Sequence, residues 1–217
     1  MKALILADLQ NDFCPGGALP VREGDQVVPV ANRLLRAFDL AMATQDWHPA
    51  DHCSFAANHP GKRPGDPGKR PGDVIEVAGL RQVLWPVHCV QGTPGAEFHA
   101  ALDSRRIARV FRKGADPMVD SYSGFFDNAR RRATGLGDYL REQGVVEVYV
   151  CGLTTDYCVK ATALDAVSLG FATRLIEDAC RGVDLQPGDI ARAIAEMRAA
   201  GVGIVRAAAL GGRDALV

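Results

Sequence analysis

No two cysteines in this chain form a C-x-x-C pair, and its six cysteines fall at irregular spacing. A redox dithiol, a zinc ribbon and a disulfide scaffold are therefore not indicated. Long apolar runs are also missing. No stretch approaches the roughly 20 residues a transmembrane helix needs. Charge of one sign is missing too, since 25 basic residues face 26 acidic ones for a net charge of −1. That removes any electrostatic argument for nucleic acid or an anionic membrane. The opening Met1-Lys-Ala-Leu-Ile-Leu-Ala-Asp8 meets Asp8 and Asp12 too soon for a signal-peptide pattern. It reads as a first strand, and we expect a cytoplasmic protein with reduced thiols.

What is there suits one domain over residues 1–217, with 47% hydrophobic and 24% charged residues. Strand and helix patterns alternate. Lys2–Ala7, Leu40–Thr44, Ile107–Phe111, Val145–Val150, Ala172–Ile176 and Val202–Val205 read as strands. Val27–Phe38, Gly137–Gln143, Asp156–Leu169 and Asp189–Ala200 read as helices. This alternation predicts an α/β fold with a central, mainly parallel sheet and helices on both faces. One region breaks it. From His59 to Val87 the chain is rich in Gly, Pro, Lys and Arg, and Pro60-Gly-Lys-Arg-Pro-Gly-Asp66 is repeated at once as residues 67–73. We expect a surface loop over residues 59–84, serving as a lid or as a flexible insertion.

Val148-Tyr-Val-Cys-Gly-Leu-Thr-Thr-Asp-Tyr-Cys158 reads as a strand, a tight turn and a helix start. A thiol in a first helical turn meets the positive end of the macrodipole, which favours a thiolate. The same backbone N–H groups can hold an oxyanion. Without that setting, Cys158 would read as an inert core thiol. Asp8 follows the first strand and suits either general base work or turn capping. Lys113 follows another strand and is either a solvated residue or a partner that stabilises the thiolate. The carboxyl ends of parallel strands share one edge, so Asp8, Lys113 and Cys158 can converge. Asp46 and His48, two apart on an extended segment, point the same way. With His52 and His88 they suit zinc, iron or manganese, against the alternative of a solvated loop. His59 and His99 have no such context.

Together these segments resemble the nicotinamidase branch of the isochorismatase-like cysteine hydrolases. The matching pieces are Ala3–Leu19, Thr44–His52, Trp85–Val90, Lys113-Gly with Tyr122-Ser-Gly-Phe, and Gly152–Thr162. They occur in family order over nearly the whole length. The resemblance implies a three-layer α/β/α fold. It implies a catalytic triad of Asp8, Lys113 and Cys158, and an oxyanion hole from the N–H groups of Thr154 and Cys158. It implies a cis peptide at Leu153–Thr154. Asp46, His48 and His88 match metal ligands, zinc first among the candidates, and His52 matches a ligand of some members. Phe13, Leu19, Trp85, Tyr122 and Tyr157 match the walls of a ring pocket, although Tyr157 is His in some members. The implied reaction converts nicotinamide to nicotinate and ammonia through a cysteine thioester, with the metal orienting the ring nitrogen and pyrazinamide as a side substrate. A homo-oligomer is compatible with all of this. Two other readings are a cysteine hydrolase for another small amide or carbamoyl compound, and a non-catalytic binding member of the same fold. A substrate panel separates the first, and an ammonia-release assay the second.

Overall fold

The central strand is the first one. In the computed structural model, which describes residues 1–61 and 68–210, β1 (Lys2–Ala7) is buried from Ala3 onward. A strand covered on both faces reads as a continuous apolar run, and Ala3-Leu-Ile-Leu-Ala7 is one. α1 (Val27–Ala37) follows and buries Val27, Val28, Ala31, Leu34 and Leu35, one stripe at helical spacing. Then come β2 (Ala41–Asp46), β3 (Val74–Val77), β4 (Leu80–Val83) and β5 (Arg109–Lys113). The second half holds α2 (Leu136–Glu142), β6 (Glu147–Leu153), α3 (Lys160–Ser168), β7 (Ala172–Arg181), α4 (Asp189–Ala199) and β8 (Gly203–Val205).

Six strands form the main sheet in the order β5-β2-β1-β6-β7-β8. Every neighbouring pair in it is parallel. The chain builds leftward through β1, β2 and β5, then rightward through β6, β7 and β8. Right-handed crossovers put the connecting helices of the two directions on opposite faces, which gives three layers. The reversal lies between β1 and β6. Open α/β sheets bind ligands at such a point, beyond the carboxyl ends of the strands.

The strands run further than their apolar cores predict. β2 continues to Asp46, β5 to Lys113, β6 to Leu153 and β7 to Arg181. Polar tips such as Thr44-Gln-Asp46 break the hydrophobic pattern, but pairing with the next strand keeps them extended. Asp46 and Lys113 are register partners across β2 and β5.

The expected loop over residues 59–84 needs correction. Its C-terminal part is an antiparallel hairpin, β3 with β4. Ala78 and Gly79 turn it, both with left-handed backbone (φ +51° and +80°). Paired positive φ values suit the twist of a two-residue hairpin. Lys69 and Gly72, in the second repeat, donate backbone hydrogen bonds to His59 O and Leu84 O. Residues 62–67, across the junction of the two copies, lie outside the described residues, and so does that part of the expected insertion.

Candidate active site

Four strand ends meet at the β1/β6 reversal. Asp8 leaves β1 with a left-handed backbone (φ +47°) and is fully buried. Thr44 Oγ1 donates to Asp8 Oδ1 at 2.6 Å. Lys113, at the tip of β5, is buried and reaches three carboxylate or carbonyl groups. Its Nζ lies 2.9 Å from Asp8 Oδ2, donates to Ser121 O at 3.0 Å and donates to Asp46 Oδ1. It also lies 3.3 Å from Cys158 Sγ. Burial alone would lower the lysine pKa, but Asp46 and Asp8 outweigh it and hold it well above the ordinary value. The ammonium is therefore fixed. The Asp8 Oδ2 contact is an ion pair outside hydrogen-bond alignment, so that oxygen is open to accept a proton.

The nucleophile candidate arrives from β6. Gly152 carries φ +123°, and a Cβ there would meet Ala7 O at 2.1 Å. Only glycine lets β6 run this close to β1 and Asp8. The Leu153–Thr154 peptide is cis. The chain then makes one wide turn over Thr155–Val159, with Val159 N–H bonded to Thr154 O at 3.0 Å, before α3 starts. Turns of this i→i+5 kind mark functional sites. The predicted single helix from Asp156 is thus a wide turn followed by α3.

The local charge balance differs from the expected thiolate. Burial pushes the Cys158 thiol well up, Lys113 pulls it down, and Asp8 and Asp46 push it up again. Burial also raises the Asp8 pKa, against the pull of Lys113. A helix end and one lysine do not outweigh a buried site with two carboxylates. Burial and the two carboxylates thus favour the protonated form of Cys158, and burial increases the basicity of Asp8.

Asp46, His48 and His88 bring ligand atoms within 4.8 Å of one another. His48 is tied through Nδ1 to Gly114 O at 2.9 Å, and His88 through Nδ1 to Pro86 O at 2.8 Å. Donation from Nδ1 leaves the Nε2 lone pair free on both rings, the arrangement that orients metal-binding imidazoles. His48 Nε2 lies 3.6 Å from Asp46 Oδ2. Burial would raise the Asp46 pKa, but Lys113 and His48 hold it below the usual carboxylate range. His52 is held by Ser54 Oγ at 2.7 Å, and its Nε2 is buried with no hydrogen-bond partner among the described residues. His48, His52 and Asp120 form a second group of donors within 4.8 Å of one another. Oriented imidazoles, an ionised carboxylate and an unsatisfied buried nitrogen fit a divalent cation.

A small pocket opens onto these groups. All five expected wall residues line it: Phe13, Leu19, Trp85, Tyr122 and Tyr157. Trp85 Nε1 donates to Tyr122 Oη at 3.2 Å, and the Trp85 and Tyr157 rings meet edge-on at 4.8 Å. Asp46, His48, His88, Thr154 and Cys158 share the same pocket.

A model described as the isochorismatase domain matches residues 2–209. The chain belongs to the isochorismatase family. Within it, the chain is 52% identical to the nicotinamidase of Escherichia coli (strain K12) over 204 residues, covering 92% of each protein. A solved structure, "Acinetobacter baumanii nicotinamidase pyrazinamidease", superposes with a TM-score of 0.91 at 45% identity, covering 97% of this chain and 98% of that one. The pyrazinamidase of Pyrococcus horikoshii in complex with zinc superposes with a TM-score of 0.74 at 42% identity, covering 94% and 98%.

Some site residues of this isochorismatase-family chain escape a reading of its sequence. Asp120 and Val183 line the pocket. Gln82 Nε2 and Ser121 N–H fix the two oxygens of Asp120 at 2.9 and 2.8 Å. Asp156 holds the Val183 and Asp184 N–H groups at 3.0 and 2.8 Å, which brings Val183 over the pocket. The only signal for it was the acidic residue two before Cys158. Thr44 looked like a strand residue and nothing more.

Proposed function

We propose that this chain hydrolyses nicotinamide to nicotinate and ammonia through a thioester on Cys158, and also accepts pyrazinamide. One observation carries the reading. Asp8, Lys113 and Cys158 form a buried cluster whose thiol opens on the same small aromatic pocket as Asp46, His48 and His88. Relatives and neighbours named as nicotinamidases support the substrate.

In this mechanism Cys158 Sγ attacks the carboxamide carbon, and its proton passes to Asp8. The carbonyl oxygen becomes an oxyanion held by the N–H groups of Thr154 and Cys158. One such donor is typically worth about 3 kcal/mol. The C–N bond then breaks, and Asp8 returns the proton to the leaving nitrogen as ammonia departs. Water attacks the thioester, Asp8 takes its proton, and nicotinate leaves as Asp8 returns the proton to sulfur. The raised pKa of Asp8 suits this shuttle. Lys113 keeps its proton throughout and holds the two carboxylates and the sulfur together. Asp46, His48 and His88 would hold a divalent ion, with His52 at its edge. When bound, the ion offers a Lewis-acidic position for the ring nitrogen. Zinc is the favoured ion, supported by the zinc complex of the Pyrococcus relative. The whole chain acts as a single domain, in the cytoplasm, where free thiols such as these six persist.

Ammonia release from nicotinamide by purified protein tests the reading. Turnover of nicotinamide is the expected result. No release from nicotinamide, together with turnover of another small amide or carbamoyl compound, would overturn the substrate.

A further inference from the structure

The proposed mechanism leaves Asp12 without a role, yet its carboxylate ties two loops together. Oδ2 accepts the Cys89 N–H at 2.7 Å, and Oδ1 accepts the Ala18 N–H at 3.1 Å. Its backbone oxygen accepts the Leu19 N–H at 2.9 Å. Cys89 adjoins His88, Ala18 adjoins Leu19, and Asp12 itself adjoins Phe13. The Phe13 and His88 rings meet edge-on at 5.5 Å. Cys89 has a left-handed backbone (φ +46°), which a residue other than glycine holds only when its surroundings fix it. Asp12 grips the N–H of Cys89, and its carbonyl accepts the His48 N–H at 3.0 Å. Cys89, beside His88, is thus fastened on both sides. The seat is shaped for a carboxylate, because a Cβ on Gly95 would lie 2.2 Å from Asp12 Oδ2.

We propose that Asp12 is a positioning residue that sets His88 and the Phe13–Leu19 wall of the ring pocket at once. This rests on the reading that His88 holds the metal and that the pocket takes the ring. Asp8, Lys113 and Cys158 come from β1, β5 and β6, outside the two loops that Asp12 joins. Its loss should therefore move metal retention and substrate binding while leaving the chemical step.

The test uses zinc-loaded enzyme. Zinc transfer to a chromogenic chelator is timed, KM and kcat for nicotinamide are measured, and Tm serves as the folding control. In Asp12→Ala, zinc release should be about tenfold faster, the low end for an outer-shell partner. KM should rise about tenfold with kcat within about threefold, the pattern of lost substrate positioning. Gly95→Ala should change both readouts in the same direction by displacing the carboxylate. In an Asp12→Ala background it should add nothing, since the contact is already gone. If Asp12→Ala does not fold, Asp12→Asn, with the same shape and one acceptor fewer, carries the test. Unchanged KM and zinc release in the folded Asp12 variant would overturn the proposal, as would a loss confined to kcat. His88→Ala separates the two readings. If it releases zinc no faster than the parent, the metal assignment falls, and Asp12 stands or falls on KM alone.

Discussion

Replacing Lys113 by methionine tests whether the cluster is held by charge. The ammonium is buried and serves Asp8, Asp46, Ser121 O and Cys158 together. Methionine keeps much of the volume and removes the charge. Two buried carboxylates are then left side by side with no cation between them. Removing one partner of a buried ion pair typically costs about 3–5 kcal/mol. For a chain of this size each kcal/mol moves Tm by about 2–4 °C, so the variant should melt roughly 6–20 °C lower at neutral pH. The pH dependence is the sharper test. In the parent, Lys113 opposes the rise that burial imposes on Asp8 and Asp46. Without it their folded pKa values rise above the unfolded value near 4. The folded variant then binds more protons than its unfolded chain, so its stability is greatest at low pH and is lost as pH rises through the raised pKa. The gap between variant and parent should therefore widen from about pH 4 to pH 7. Urea melts of chelator-treated protein across that range measure it. A gap that is constant with pH, or that narrows as pH rises, would refute the electrostatic account.

Cys158→Ala should abolish ammonia release from nicotinamide and shift Tm by only a few degrees, because a small side chain is lost. Measurable turnover in that variant would remove Cys158 as nucleophile. Nicotinamide should be preferred over benzamide in metal-loaded enzyme, and chelation or His48→Ala should shrink the kcat/KM ratio between the two amides. A ratio unchanged after confirmed metal removal would show that the ion does not position the ring.

Much of this site can be read in the chain because strand ends in a parallel sheet share an edge. Asp8 and Lys113 are far apart in sequence, yet each follows a predicted strand, and that placement makes possible the convergence seen around Lys113 Nζ. The Asp46-Trp-His48 spacing likewise predicted a shared direction for two donors that the structure brings to one group with His88. What escaped depends on register and packing. The pairing of Asp46 with Lys113 follows from how β2 and β5 align, which no local pattern encodes. Thr44 meets Asp8 only because β2 lies beside β1. The β3–β4 hairpin was hidden by the Gly/Pro-rich composition before it, although Ala78-Gly79 turns it. The expected thiolate used the helix end and Lys113 alone. It lacked the burial and the two carboxylates that push the thiol up.

Asp46 shows why the two halves of the site belong together. One carboxylate oxygen faces Lys113 Nζ, and the other lies 3.6 Å from His48 Nε2. The same side chain therefore touches Lys113 of the proposed triad and belongs to the proposed ligand set. Counting formal charges with Cys158 as a thiol, Asp8 and Asp46 contribute −2 and Lys113 contributes +1. These three groups alone leave one negative charge, which is costly away from water, and His48 beside Asp46 faces it. A cation held by Asp46, His48 and His88 would offset that charge at the one carboxylate that Lys113 shares with the histidines. The buried Nε2 of His52 has no hydrogen-bond partner among the described residues, and His52 groups with His48 and Asp120. The sheet thus delivers a buried ammonium and two carboxylates at strand tips, and the histidine loops supply imidazoles beside them. One small pocket thus carries the aromatic walls Phe13, Trp85, Tyr122 and Tyr157, the histidines and the Cys158 thiol.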